Sequence, residues 1–106
     1  MKLKEVLEIK YNNFLKAYQV AINKGKDYSG EEDDLANFKA SAILGIAPEK
    51  AIMVRIVDKL MRLKNIIDSG RINDKSETFS DTIIDLHNYL DLLYALMLEK
   101  EREKNE

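Results

Sequence analysis

The fold class follows from one segment, Ser76 to Glu99, which reads SETFSDTIIDLHNYLDLLYALMLE. Its main apolar stripe recurs at three- and four-residue spacing and consists of Ile83, Leu86, Tyr89, Leu90, Leu93 and Met97. This spacing is typical of an amphipathic helix. Further apolar residues lie beside the stripe, at Leu92, Leu96 and Leu98. Because so wide an apolar surface usually packs on two sides, we expect a homodimer or homotetramer through this helix, the alternative being a compact monomeric bundle.

The rest of the chain has the patterns of three more helices. Helical spacing and end signals predict helices over Leu3 to about Asn23, over Leu35 to Leu44 after a cap at Asp33 or Asp34, and from Pro48 to about Ser69. Gly45 and Gly70 stand where left-handed helix ends belong. The sequence therefore predicts one all-α domain over residues 1–106, a four-helix bundle-like fold with three long helices and one short helix. The charged tail, residues 99–106, is expected to fray.

Composition narrows the class of protein. The 106 residues contain no cysteine, which excludes disulfides and thiolate metal sites and favours the cytoplasm. No stretch approaches the roughly 20 apolar residues that a membrane span requires. Since the net charge is -2, there is no broad positive field for a nucleic-acid polymer. A bound nucleotide would therefore be a small molecule.

A polar ladder follows one edge of the last predicted helix. Its members fall within roughly 80° of arc, and they are Glu77, Asp81, Asp85 and Asn88. Carboxylates at four-residue spacing repel one another, so we expect a compensating charge. A divalent cation could supply it. So could the basic residues of the preceding helix, in a salt-bridge network without a ligand. For Glu77 and Asp81, attraction to the positive end of the helix dipole is a further explanation.

The third predicted helix, from Pro48 to about Ser69, carries two stripes of residues along its length. The apolar one is predicted to be core and comprises Ile52, Ile56, Leu60, Leu63 and Ile67. The adjacent one is a mixed-charge set, Arg55, Asp58, Lys59 and Arg62, which could face the ladder or be solvated. Lys26 and Tyr28 lie in a predicted loop from Lys24 to Asp33 that could hold a phosphate and stack a base, or be an ordinary turn. The single histidine, His87, is expected at a surface or interface rather than as a ligand.

One stretch of the last predicted helix, helix four, resembles a known protein family. Glu77-Thr-Phe-Ser-Asp81-Thr-Ile-Ile-Asp85-Leu-His-Asn88-Tyr89 resembles the second acidic helix of the all-alpha nucleoside triphosphate pyrophosphohydrolases of the MazG-like superfamily, especially small phage and bacterial types. Lys26-Asp27-Tyr28 and Asn37-Phe38 are similar to short pieces of those proteins. The resemblance implies that Glu77 and Asp81 are catalytic and hold Mg²⁺, that Asp85 is an added acid beside them, and that Asn88 contacts the nucleotide.

The chain departs from that family on helix three. The family's first metal helix carries an ExxE pattern, whereas the corresponding residues here run from Asp58 to Arg62. Asp58 keeps one acid, and Arg62 replaces the other. A guanidinium in place of a carboxylate should weaken binding of several magnesium ions and favour direct phosphate contact.

Two hypotheses follow. In the first, the protein is an enzyme that hydrolyses an NTP or dNTP to a nucleoside monophosphate and pyrophosphate. Its metal ligands are then Asp58, Glu77, Asp81 and Asp85, and its substrate-binding residues are Lys26, Tyr28, Arg55, Lys59, Arg62 and Asn88. In the second, the chain is a non-catalytic helical module that binds a nucleotide or a protein partner, and the ladder is a structural salt-bridge network.

Overall fold

The structure is a computed structural model that describes residues 1–28, 36–72 and 78–105, with the side chains of all of these except 25–28, 36 and 37. The elements run in the order α1 (Leu3–Tyr28), α2 (Ala36–Lys39), a 3-10 helix (Ala40–Leu44), α3 (Pro48–Ser69) and α4 (Phe79–Lys104). The described ranges contain helices and no strand, which confirms the all-helical prediction.

Helix α3 has the bounds that its end signals predict. Pro48 is its first residue, after the extended residue Ala47, and the fixed φ of proline suits that position. Gly70 ends the helix with a φ of 70°, in the left-handed region that glycine enters without steric cost. Its amide donates to the carbonyls of Ile66 and Ile67. The sequence therefore identified both ends of this helix.

The segment between α1 and α3 is less regular than predicted. Instead of one helix to Leu44, it forms a single turn of α-helix that tightens into the 3-10 helix before Gly45. The Ser41 hydroxyl donates to the carbonyls of Phe38 and Ile46, a local bond that competes with regular helical bonding. The described chain thus has three long helices and one short, mixed helical segment. The predicted caps, Asp33 and Asp34, lie outside the described residues.

Two of the long helices extend further than predicted. α1 continues through the backbone of Lys26 to Tyr28, so these residues end a helix and are not in the predicted loop. α4 starts after Thr78 and continues to Lys104, past the point where fraying was expected. Arg102 and Lys104 lie in its last turn, where positive charge interacts favourably with the negative end of the helix dipole.

Helix α4 is the centre of the fold. Both α3 and α1 pack against it, whereas no Cα atoms of α1 and α3 approach within 8 Å in the described part of the chain. The buried core lies between α3 and α4 and consists of Ile52, Ile56, Leu86 and Leu96. Phe38 packs against this core and meets the ring of Tyr89 edge to face. The α3–α4 pair therefore holds the hydrophobic core.

The predicted core stripe of α3 is only partly buried. Ile52 and Ile56 are buried and Leu63 is half-buried, as expected. Leu60 and Ile67 are 50% and 63% exposed, so the core prediction is wrong for these two residues. They lie some 60° round the helix from the residues that meet α4, and no described element covers that side.

Helix α1 contacts α4 with a side other than its apolar stripe. Ala17 is buried, and Asn13 and Val20 beside it are half-buried. Five residues of the apolar stripe that marks α1 as amphipathic are more than half exposed: Leu3, Leu7, Tyr11, Phe14 and Tyr18. We call these five residues the α1 stripe. The small Ala17 side chain lets the helices approach, but it leaves most apolar surface of α1 uncovered.

Candidate functional site

The ladder side of α4 faces the gap between α1 and α3. Asp85 is its best-connected member: one carboxylate oxygen lies 2.8 Å from Lys59 Nζ on α3, and the other lies 3.7 Å from Lys24 Nζ on α1. We call Lys24, Lys59 and Asp85 the three-helix junction. It is the one described place where charged side chains from all three long helices meet.

The junction is shielded from water on the α3 side and open on the α1 side. The Lys24 side chain is 58% exposed. The side chains of Lys59 and Asp85 are 15% and 20% exposed. Charges this far from solvent interact more strongly than surface pairs, because the surroundings are less polarisable than water. Asp85 pairs with one ammonium group on each flanking helix, and Lys59 has a further interaction besides this pair. The two pairs link α1 and α3 to the same residue of α4.

Asn88 lies one turn beyond Asp85 on the same side of α4. Its side chain is half-buried, and its amide group can both donate and accept hydrogen bonds. Asn88 therefore places a neutral hydrogen-bonding group one helical turn from the carboxylate that the two lysines contact.

Asp81 forms the N-terminal cap of α4. Its carboxylate accepts a bond from the Thr78 backbone N–H at 3.3 Å, while the Thr78 hydroxyl accepts one from the Asp81 N–H at 3.0 Å. This reciprocal pair is a capping box. Hydrogen bonds with Thr78 lower the pKa of Asp81, with a smaller contribution from the positive charge of Lys16. The described arrangement thus gives this acid a structural role at the start of α4.

The other predicted site residues are more dispersed. Arg55, Asp58 and Arg62 are exposed on α3. Arg62 also interacts with another group of the protein. Of the predicted basic set, Lys59 is the member that pairs with a ladder carboxylate. Glu77 and the side chains of Lys26 and Tyr28 lie outside the described residues. Among the described residues, the predicted contact between the basic set of α3 and the ladder is present at the Lys59–Asp85 pair.

Lys24 is the junction residue that the sequence did not select. The predicted first helix ended at Asn23, which placed Lys24 in a loop with no defined face. In the structure α1 continues, and Lys24 lies two turns beyond Ala17 on the side that meets α4. The three- and four-residue spacing of Asn13, Ala17, Val20 and Lys24 favours a longer helix, but Gly25 interrupts the pattern.

The described carboxylates do not fit a magnesium site in this arrangement. Among the residues described, no group of three or more histidine, cysteine, aspartate or glutamate side chains could hold a metal ion. Asp81 is engaged in the cap, Asp85 is paired with lysines, and Asp58 is exposed on another helix. Of the predicted ligands, Glu77 is outside the described ranges.

A second set of interhelical ion pairs lies toward the other end of α4. Lys39 pairs with Glu99, and Lys100 Nζ lies 2.7 Å from Glu49 Oε1 at the start of α3. The hydrogen bond from Lys100 is the largest cause of the lowered pKa of Glu49. The second oxygen of Glu49 is buried without a partner among the described residues. These pairs fasten α3 and the Lys39 end of α2 to the later turns of α4.

Comparisons with known proteins give no family assignment. No protein-family model, no curated protein and no solved structure matches this chain. The resemblance of Glu77 to Tyr89 to the MazG-like enzymes therefore remains a prediction from the sequence. Within the described residues, none of the helices combines the length and apolar character needed to cross a membrane.

Proposed function

We propose that this chain is a divergent MazG-like protein that binds a nucleotide at the three-helix junction and hydrolyses an NTP or dNTP to a nucleoside monophosphate and pyrophosphate. The observation that carries the binding part is the three-helix junction itself, in which two lysines from different helices pair with one carboxylate and the Lys59 side chain is 15% exposed. The resemblance of the segment from Glu77 to Tyr89 supports the choice of a nucleotide as ligand.

The junction has the chemistry that a phosphate group requires. Lysine ammonium groups bind phosphate through charge-assisted hydrogen bonds, and partial burial strengthens those bonds. A phosphate bound here would contact the ammonium groups of Lys24 and Lys59 beside Asp85. Asn88 is placed to bond to the base or the sugar of the same ligand. Arg55 and Arg62 lie on the exposed side of α3 and would contact the distal phosphates of a longer chain.

Hydrolysis is the more demanding part of the proposal. Magnesium would polarise the phosphate and supply the attacking water, and its ligands would be Glu77 and Asp81 with Asp58 and Asp85. The described arrangement does not bring these groups together, so Asp81 would have to leave its cap and Asp85 its lysines. Binding and hydrolysis must therefore be measured separately.

Calorimetric titration with a panel of NTPs, dNTPs and modified nucleotides tests binding. We expect Lys59→Gln and Asn88→Ala to weaken binding at least about tenfold, since each removes a direct contact. Lys64→Gln is the matched control, because Lys64 is on the same helix but forms an exposed pair with Asp68. No binding by the wild-type chain to any nucleotide would refute the proposed site.

Pyrophosphate release in the presence of magnesium tests hydrolysis. We expect turnover by the wild-type chain and none by Glu77→Gln, a substitution that keeps the size of the side chain and removes its charge. Asp81→Ala is a less clean variant, because it also removes half of the capping box. Binding without turnover across the whole panel would exclude the enzyme and leave a nucleotide-binding module.

The second candidate is a non-catalytic interaction module in which the ladder is structural. It is favoured by the cap at Asp81 and the lysine pairs of Asp85, which offset the ladder's charge without a ligand. Titration with magnesium alone separates the two candidates, because a structural network should take up no ion. In either case we propose a cytoplasmic protein that self-associates through α4, where Leu90, Tyr94 and Met97 are exposed.

A further inference from the structure

The α1 stripe is an apolar surface that the described chain leaves uncovered. Its five side chains are between 54% and 71% exposed over their length from Leu3 to Tyr18. Phe14 and Tyr18 stack with their ring centroids 6.2 Å apart, so the aromatic part of the surface is ordered. At 1.5 Å per residue the stripe is about 22 Å long. A shallow groove along its first half is lined by Leu3, Lys4, Leu7, Glu8, Tyr11 and Asn12.

The size of the stripe approaches one partner's share of a standard interface. With about 200 Å² for each large apolar residue, the five side chains expose roughly 600 Å². That is the upper end of what one patch on a monomeric protein shows, and a standard interface takes about 800 Å² from each partner. The accessible surface of the whole chain is also larger than that of a compact monomer. It is 8414 Å² for 12.2 kDa, against about 6,000 Å² for a compact monomer of this mass.

We propose that a second copy of this chain covers the α1 stripe, so that the protein forms a dimer through paired α1 helices. A two-fold axis near Tyr11 would bring the same stripe from each copy together, and such self-complementary pairing is the commonest form of homo-oligomer. This interface is distinct from the α4 surface proposed above. A chain that used both would form a tetramer with two kinds of contact.

The first test measures the mass of the purified full chain by light scattering and sedimentation. We expect a dimer or tetramer for the wild type. Leu7→Glu with Phe14→Glu should raise the dissociation constant of the α1 contact at least about 100-fold, because two charges would be placed in an apolar interface. Gln19→Glu is the control, since it adds a charge to α1 outside the stripe. A wild-type chain that remains monomeric at 100-micromolar-scale concentrations would overturn the proposal.

The interface on α4 is tested in parallel with Leu90→Glu and Tyr94→Glu. If this variant is monomeric while the α1 variant still forms the wild-type assembly, the α1 proposal is wrong. Co-sedimentation of a monomeric wild-type chain with anionic lipid vesicles would identify a membrane surface as the occupant instead and would also refute it.

A cysteine test avoids variants that fail to fold. The chain has no cysteine, so Tyr11→Cys introduces a single thiol close to the proposed axis. We expect mild oxidation to join Tyr11→Cys chains into covalent dimers at least about ten times faster than Gln19→Cys chains, because a dimer holds the two thiols near each other. Equal rates for the two variants would contradict pairing through the α1 stripe.

Discussion

The two helices that flank α4 are attached to it in different ways. α3 contributes large apolar side chains to a buried core, and the Glu49–Lys100 pair adds an ionic contact to α4. α1 contributes the small residue Ala17 and the Lys24 end of the three-helix junction. Hydrophobic stabilisation scales with the apolar area removed from water, so the α3–α4 contact should dominate the folding energy. Most of the apolar surface of α1 stays exposed and is available to contact another protein surface.

The largest effect that this comparison predicts is in the core. Ile52 is completely buried between α3 and α4, so Ile52→Ala removes three carbon atoms and leaves a cavity. We expect the free energy of unfolding to fall by about 2–4 kcal/mol. Val20→Ala is the counterpart on the half-buried side of α1, and we expect a loss of about 1 kcal/mol or less there. Urea unfolding followed by circular dichroism measures both. Equal losses would show that α1 is held as firmly as α3.

An intermediate effect is expected at the three-helix junction. Asp85→Asn keeps the side-chain size but leaves two lysine ammonium groups without their shared carboxylate. Because Lys59 is largely buried, we expect a loss of about 1–2 kcal/mol, which is less than for a fully buried pair.

Asp68→Asn is the matched control for that variant, since Asp68 pairs with Lys64 on the exposed surface of α3. Exposed pairs of this kind contribute little, so we expect a change within about 0.5 kcal/mol. If Asp85→Asn is as stable as the control or more stable, the junction does not hold the helices together. The proposed binding of a ligand would then be the main role of the three-helix junction.

The sequence was most informative where a local rule acts alone. Pro48 and Gly70 fixed the two ends of α3, because proline and glycine restrict or permit specific backbone angles. The all-helical class followed from the spacing of apolar residues in α4. Asp85 and Lys59 were both singled out from spacing, and the structure places them in contact.

The sequence was less informative where the outcome depends on which helices meet. An apolar stripe shows that a helix has a buried side in some assembly, but it does not identify the partner. This is why Ile67 was assigned to the core although it is exposed. Lys24 was missed for a related reason, since its role depends on the length of α1 and on the neighbouring helix α4. Charge spacing alone also could not distinguish the cap at Asp81 from a metal ligand.

The smallest predicted effect is a decrease in the free energy of unfolding in acid, to which one carboxyl group near each end of α4 contributes. Hydrogen bonds hold the pKa of Asp81 below its ordinary value at the start of the helix, and the bond from Lys100 does the same for Glu49 toward the other end. A carboxyl group whose pKa is lower in the folded state stabilises the fold above its unfolded pKa. That stabilisation is lost as the pH falls through the lower, folded value. We therefore expect the free energy of unfolding to decrease as the pH falls below about 4.

Thr78→Ala separates the contribution of the cap from that of Glu49. It removes the hydroxyl of the capping box and should cost about 1 kcal/mol at pH 7, whereas Thr78→Ser keeps the hydroxyl and should cost less. The alanine variant should also lose less stability than the wild type between pH 7 and pH 3, because the pKa of Asp81 would lie closer to its unfolded value. Urea unfolding across that range measures both effects. If Thr78→Ala and the wild type lose stability in parallel, the Thr78 hydroxyl does not contribute to the acid response. The backbone bond from Thr78 to Asp81, which the variant keeps, and Glu49 then remain to explain it.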